Sequence, residues 1–174
     1  MKKILVFVTT LDGKITRWGE SYVRKWTSKE DQDYFKKLWN DSALIVQGSS
    51  TYDGAPMEPS SSHHIVIMTS TPAKYKEVEV AGQIEFTDQT PAQLVAHYEQ
   101  RGLEQMLIVG GAHIATSFLK AKLIDEIWLT FEPKIFGKGG NFVIDEKLDI
   151  DLKLISFEKV NERGTLITKY AVLN

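Results

Sequence analysis

The stretch Met106-Leu-Ile-Val-Gly-Gly-Ala-His-Ile-Ala-Thr-Ser-Phe-Leu119 admits few folds. Its opening residues, Met106 to Val109, form an apolar run too short for a helix and suited to a buried strand. Gly110-Gly111 follows directly, and Ile114, Ala115, Phe118 and Leu119 then recur at helical spacing. Strand, glycine pair, helix is a layout that can hold a phosphate. Glycine lets the backbone come close to an anion, and the unpaired N–H groups of a helix start favour negative charge. The same layout also serves as an ordinary tight strand-to-helix turn. The pair is neither the dinucleotide fingerprint G-x-G-x-x-G nor a Walker loop, so the glycines alone leave both readings open.

Other segments repeat the alternation. Ile4 to Val8, Ala43 to Gln47, Ile65 to Met68, Ile84 to Phe86 and Ile127 to Phe131 are short apolar runs expected to be strands. Thr27-Ser-Lys-Glu30 reads as a capping box opening a helix to about Trp39. Thr90-Pro-Ala-Gln93 caps a second helix that carries Leu94, Val95 and Tyr98 and ends at Arg101-Gly102. Leu152 to Val160 and Thr165 to Leu173 flank Asn161-Glu-Arg-Gly164 as a hairpin. Strands alternating with helices, then a terminal hairpin, predict an α/β fold. Its mixed central sheet is mostly parallel, with an antiparallel C-terminal hairpin at the edge and helices on the flanks. With 174 residues, no linker and no internal repeat, residues 1–174 are expected to form a single domain.

Composition excludes several classes. Net charge is −2 with Lys and Arg dispersed, so no basic stripe predicts nucleic-acid binding. There is no cysteine, hence no disulfide and no cysteine-ligated metal. His63 and His64 are neighbours on a strand and point to opposite faces, with no acid at useful spacing, so no metal site is expected. The apolar run after Met1-Lys-Lys stops at Thr9, too short for a signal peptide, and no segment reaches membrane-spanning length. The expectation is a cytoplasmic protein without a membrane partner.

In open α/β sheets, ligands bind outside the carboxyl ends of the strands. The turns Gly48 to Thr51, Thr69 to Thr71 and Gly110 to Ala112 all fall there and together read as a nucleotide cradle. The long segment Thr9 to Trp26 is rich in glycine, charge and aromatics, as functional loops are. Of its tryptophans, Trp18 rather than Trp26 is expected to cap the core. Asp31 precedes Tyr34 and Phe35 by three and four residues, so it shares the inward face of the first helix with Leu38 and Trp39, whereas Asp33 points away. A carboxylate at the start of a buried stripe needs a partner or a purpose, and desolvation should raise its pKa. The alternative is stabilisation of the helix dipole, about 0.3–1 kcal/mol.

These residues together resemble the dihydrofolate-reductase-like superfamily, and most of all the C-terminal reductase domain of the bifunctional riboflavin-biosynthesis deaminase-reductase. The matching segments are Thr10-Leu-Asp-Gly-Lys-Ile15, Trp26-Thr-Ser-Lys-Glu-Asp31, Ala43-Leu-Ile-Val-Gln-Gly-Ser-Ser-Thr51, Ile108-Val-Gly-Gly-Ala112 and Phe118-Leu-Lys-Ala-Lys-Leu-Ile-Asp-Glu-Ile127, then Pro133 to Gly140. The resemblance implies a dihydrofolate-reductase-like sheet. It also implies an oxidoreductase that uses NADPH, acts like a 5-amino-6-(5-phosphoribosylamino)uracil reductase on a small heterocycle, and forms a homodimer. Gly48, Ser50 and Thr51 would hold the cofactor phosphates from one side. Val109, Gly110, Gly111, Ala112, His113 and Ile114 would hold them from the other, with a cis peptide between the glycines. Thr69 and Ser70 would lie by the adenosine 2′-phosphate, and Val8 and Ile15 by the nicotinamide. Trp26, Asp31, Phe35 and Thr130 match substrate-side positions, with Asp31 in the place of the acid that anchors the pterin in dihydrofolate reductases and thus the catalytic candidate. The riboflavin-pathway enzymes carry an arginine for the ribose phosphate after the Gly-x-x-Thr turn, and Tyr52 to Ser62 contains none. A dihydrofolate reductase acting on a folate or pterin is the alternative enzyme. A non-catalytic nucleotide-binding interaction protein is the alternative of another class.

Overall fold

The computed structural model describes residues 1–18, 20 and 22–173. The chain runs β1 (Lys2–Thr10), α1 (Lys29–Asn40), β2 (Leu44–Gly48), α2 (Ser49–Gly54), β3 (His64–Met68), β4 (Ile84–Thr87), α3 (Pro91–Gln100), β5 (Gln105–Ile108), α4 (Ala112–Lys120), β6 (Glu126–Glu132), β7 (Asp151–Lys159) and β8 (Leu166–Leu173), with short 3₁₀ turns at Val23–Lys25 and Pro72–Tyr75. All the strands join one sheet in the order β4-β3-β2-β5-β1-β6-β8-β7. Pairing is parallel from β4 to β6 and antiparallel from β6 through β8 to β7, as the segment order predicts.

Strand alternation gives the sheet two apolar faces. Leu5, Phe7, Leu44, Val46, Met106 and Ile108 point to one side and pack with α3 through Leu94, Val95 and Tyr98 and with α4 through Ala115, Phe118 and Leu119. Ile4, Val6, Ile45 and Leu107 point to the other and are covered by Phe35, Leu38 and Trp39 of α1. The apolar residues of α1 are only half-buried, and the residue of that helix most withdrawn from solvent is Asp31. Continuing each strand's alternation to its carboxyl end puts Gln47, Val109, Val8 and Thr130 on the α1 side, with Val8 directly beside Thr130 across β1 and β6.

The structure departs from the sequence-based expectations in three places. The N-cap of α1 is Ser28, not Thr27: Ser28 Oγ accepts the Asp31 N–H at 3.2 Å, and the expected Glu30 capping contact is replaced by a hydrogen bond from Asn161 Nδ2. The Ser28 N–H is taken instead by Glu132 at 2.6 Å, which sets the cap one residue later. Residues expected as a plain turn after β2 form α2, a single helical turn and a half, because Gly48 adopts the extended geometry of an N-cap. The tryptophans exchange roles. Trp26 is 5% exposed and meets the Phe136 ring edge-on at 5.1 Å, whereas Trp18 is 57% exposed with the Arg17 guanidinium 5.7 Å from its ring. Trp26 immediately precedes α1 and is carried inward by it, while the Arg17–Glu20 ion pair holds the segment around Trp18 in an outward turn.

The first loop is anchored on the segment after β6. The Asp12 carboxylate accepts the N–H groups of Phe136 and Gly137 at 3.2 and 2.7 Å, and Ile15 N–H donates to the Gly140 carbonyl at 2.8 Å. A side chain at Gly139 would overlap the Thr16 carbonyl oxygen. Among the described residues no helix is long and apolar enough to cross a membrane.

Candidate functional site

Two groups of residues meet at the carboxyl ends of the central strands. On the α1 side the focus is Asp31, which is 5% exposed. Burial pushes its carboxyl up to about 6; hydrogen bonds from Thr130 and Thr27 pull the other way, and the charge of Glu132 adds to the rise. Tyr34, one turn further along α1, is raised to about 12 by burial and by Asp31. A carboxylate whose folded pKa exceeds its ordinary value of 3.8 contributes stability below that value and loses it as pH rises through about 6. The ionised form therefore costs on the order of 2–3 kcal/mol at neutral pH. A helix-dipole role alone would have the opposite sign, since there the charge would stabilise the fold.

Glu132 is the member of this group that sequence reasoning missed. It is 2% exposed, accepts the Ser28 N–H at 2.6 Å and the Thr165 hydroxyl at 2.9 Å, and so joins β6, the start of α1 and the approach to β8. The signal available in the sequence was parity: Glu132 lies two residues past Thr130 and shares its face. Three buried side-chain atoms are without a hydrogen-bond partner among the described residues: Trp26 Nε1, the Tyr34 hydroxyl and Gln47 Nε2. Buried polar groups are rarely left unpaired, and ligand binding is one reason when they are. Trp26 leads into α1, Tyr34 lies on it, and Gln47 belongs to the sheet face it covers. Phe35 stands beside them, packed on the Trp39 ring at 5.9 Å.

The second group is the pair of glycine turns after β2 and β5, neighbours in the sheet. They touch: Gly48 N–H donates to the Gly110 carbonyl at 2.9 Å, and the Gly110–Gly111 peptide is cis. A Cβ at Gly48 would come within 2.9 Å of Ile114 Cγ1, and one at Gly111 would lie 3.2 Å from Thr51 Oγ1. Gly110 has φ +130°, a conformation that L side chains rarely adopt, whereas Gly111 is extended. Ala112 opens α4 with Gly111 as N-cap and no side-chain cap, so the first N–H groups of α4 stay available beside the Thr51 hydroxyl. His113 is exposed and Ile114 half-buried; Ser50 lies in the first turn of α2. Thr69 and Ser70 follow β3, Thr69 holding its N–H on the Thr87 carbonyl at 2.8 Å. Ile15 packs against the core on the α4 side of the sheet. These features fit a nucleotide's phosphates: a side-chain-free cradle, a hydroxyl and a helix start.

The family model that describes the RibD C-terminal domain matches residues 56–166, more than half of the chain. The chain belongs to the RibD C-terminal domain family. It is similar to the uncharacterized protein YwjB of Bacillus subtilis, 24% identical over 144 residues that cover 79% of this chain and 80% of that protein. Among solved structures, the fold is shared with a putative riboflavin biosynthesis protein from Shewanella sp. PV-4, with a TM-score of 0.80, 20% identity and full coverage of both chains. It is also shared with dihydrofolate reductase from Enterococcus faecalis complexed with NADP(H), with a TM-score of 0.69, 16% identity and coverage of 99% of this chain and 97% of that one. The fold of this RibD C-terminal domain is thus dihydrofolate-reductase-like, with the mixed sheet and antiparallel C-terminal strands described above.

Carboxyl ¹³C NMR titration of Asp31 is expected to give a midpoint near 6 rather than near 4. Glu132→Gln, whose amide oxygen can accept from Ser28 while its amide NH2 donates to the Thr165 hydroxyl, should lower that midpoint by removing the neighbouring charge. Asp31→Asn should raise thermal stability at pH 7 and leave it nearly unchanged at pH 3.5, the opposite of what loss of a helix-start charge would do.

Proposed function

We propose that this chain is an NADPH-dependent reductase of a small heterocyclic substrate, related in chemistry to the 5-amino-6-(5-phosphoribosylamino)uracil reductases of riboflavin biosynthesis. The observation that carries the reading is the desolvated Asp31 carboxyl, beside Thr130 and Thr27 and set among unpaired donors at the carboxyl ends of the strands. Membership in the RibD C-terminal domain family and the fold shared with a dihydrofolate reductase complexed with NADP(H) support it.

Gly48, Ser50 and Thr51 would hold the cofactor phosphates from the α2 side, and Val109, Gly110, Gly111, Ala112, His113 and Ile114 from the α4 side. Thr69 and Ser70 would lie toward the adenosine, and Val8 and Ile15 toward the nicotinamide. NADPH supplies a hydride when bound. The chain's own residues orient the acceptor and manage the proton. Phe35 and Trp26 offer apolar faces to a flat ring, and Gln47 and Tyr34 offer unpaired polar groups to its edge. Asp31, with a midpoint near 6, can exchange a proton with a ring nitrogen close to neutral pH, where an ordinary carboxylate could not. Glu132 keeps α1 seated on β6 and β8, so that Asp31 stays against Thr130.

We also propose that the protein is a homodimer formed through β7. This edge strand is exposed along its whole length, with Leu154, Ile155 and Phe157 in solvent, Phe157 at 69%. Long exposed apolar edges are normally covered. The region reads as a single catalytic domain acting in the cytoplasm.

NADPH is expected to bind in a calorimetric titration, with NADH weaker. Gly111→Val should weaken binding by at least about tenfold by filling the gap to Thr51, and Thr51→Val, which removes only the hydroxyl, should weaken it less. No detectable binding by the wild type would remove the reading. Once a substrate is found by following NADPH oxidation, Asp31→Asn should retain NADPH affinity while turnover falls by roughly 10²–10⁴; wild-type turnover would make Asp31 a bystander. Light scattering should give the mass of a dimer, and Phe157→Lys should shift it toward the monomer.

A further inference from the structure

A second cleft, of about 260 Å³, opens beside Trp26 and Thr27, on the surface where three separated segments meet. Arg17 and Lys25 come from the first loop, Lys134 follows β6, and Arg163 sits in the turn between β7 and β8. The chain as a whole carries a net charge of −2 and holds only four arginines, yet two of them face this cleft. Two carboxylates oppose these four cations, and both are already engaged. Glu20 is 2.7 Å from the Arg17 guanidinium and 3.6 Å from Lys25. Glu132, in the floor, receives the Ser28 N–H and the Thr165 hydroxyl. Lys134 and Arg163 have no carboxylate within ion-pair distance among the described residues.

An independent observation points the same way. Trp26 also lines the cleft; it is 5% exposed, and its indole N–H has no acceptor among the described residues. The surplus here is of donors and positive charge. The ligand that satisfies both must accept hydrogen bonds and carry more than one negative charge. A carboxylate would satisfy Arg163 alone. A phosphoryl group has the oxygens and the charge to engage Arg163, Lys134 and an indole N–H together.

We propose that this cleft is a binding site for a phosphate-class dianion, held chiefly by Lys134, Arg163 and the Trp26 indole. A phosphoryl group there ties the first loop, the segment after β6 and the terminal hairpin around the entry to α1, the helix that carries Asp31. The site is separate from the cofactor turns; of its three principal ligands only Trp26 also belongs to the proposed substrate side, and Lys134 and Arg163 do not.

The test is calorimetric titration of the full chain with inorganic phosphate in about 0.15 M chloride, where weak surface pairing is screened. The wild type should bind saturably with a Kd below about 1 mM. Lys134→Gln/Arg163→Gln should weaken binding at least about tenfold, while Lys36→Gln/Lys37→Gln, the same charge change on the exposed face of α1, should alter it less than about twofold. In a chain with Trp18, Trp39 and Trp128 replaced by Phe, Trp26 fluorescence should respond to phosphate, and not when Lys134→Gln/Arg163→Gln is added. Ribose 5-phosphate separates the sources of the anion: binding about tenfold tighter than phosphate assigns it to a sugar-phosphate substituent, and equal or weaker binding assigns it to the free ion. No saturable phosphate binding, or equal losses in the two double variants, overturns the proposal.

Discussion

The hydrogen bonds received by the buried Glu132 carboxylate organise the functional half of the molecule. One comes from the backbone at the N-cap of α1 and the other from Thr165 at the start of the last strand, while Glu132 itself ends β6. A buried carboxylate demands such partners, because an unpaired one would cost several kcal/mol. Meeting that demand fixes where α1 begins and holds its first turn at the end of β6. With Ser28 as the cap, Asp31 turns inward against Thr130. Had Thr27 been the cap, the register of the first turn would differ by one residue. The acid at the site is thus placed by a second acid that never needs to touch a ligand.

The cofactor-like turns obey a different constraint, that of space. Gly48 and Gly110 share a backbone hydrogen bond, and Ile114 and Thr51 stand where side chains on the glycines would go. Two adjacent parallel strands thus deliver their carboxyl ends into one cradle with no side chains in it. The Asp31 group lies on the side of the sheet covered by α1, and the cradle lies at the starts of α2 and α4. The sheet's carboxyl edge is where the two can meet across a ligand, in keeping with the general rule for open α/β sheets.

The balance of forces in the site is uneven. Most of the core is ordinary alternation, with both sheet faces filled by β-branched and aliphatic residues. Against this background a carboxyl raised to about 6 and three unpaired buried polar atoms are local conflicts that a chain selected for stability alone would discard. Their concentration on one side of one helix is a physical reason to place function there, and it agrees with the family to which the chain belongs.

Much of this was legible in sequence because it depends on local periodicity. Apolar runs marked the strands to within a residue or two, Thr90 and Gln93 marked a capping box that forms as read, and the 3.6-residue repeat put Asp31 inward and Asp33 outward. Gly110-Gly111 announced a close backbone approach, and the chain itself carried the family resemblance. Other features are set by contacts between residues far apart in the chain, which no local pattern encodes. Trp26 is buried against Phe136, more than a hundred residues on, while Trp18 meets the outer side of the same ring at 6.3 Å and stays exposed. The α1 cap is Ser28 because Glu132 takes its N–H, and Arg17, Lys134 and Arg163 share one cleft because three loops converge. The sequence alone determined where the strands and the longer helices lie and which of their faces turn inward, since those follow from bonds within a few residues. Only the tertiary structure decided which polar groups lose their water together, because desolvation depends on everything packed around them.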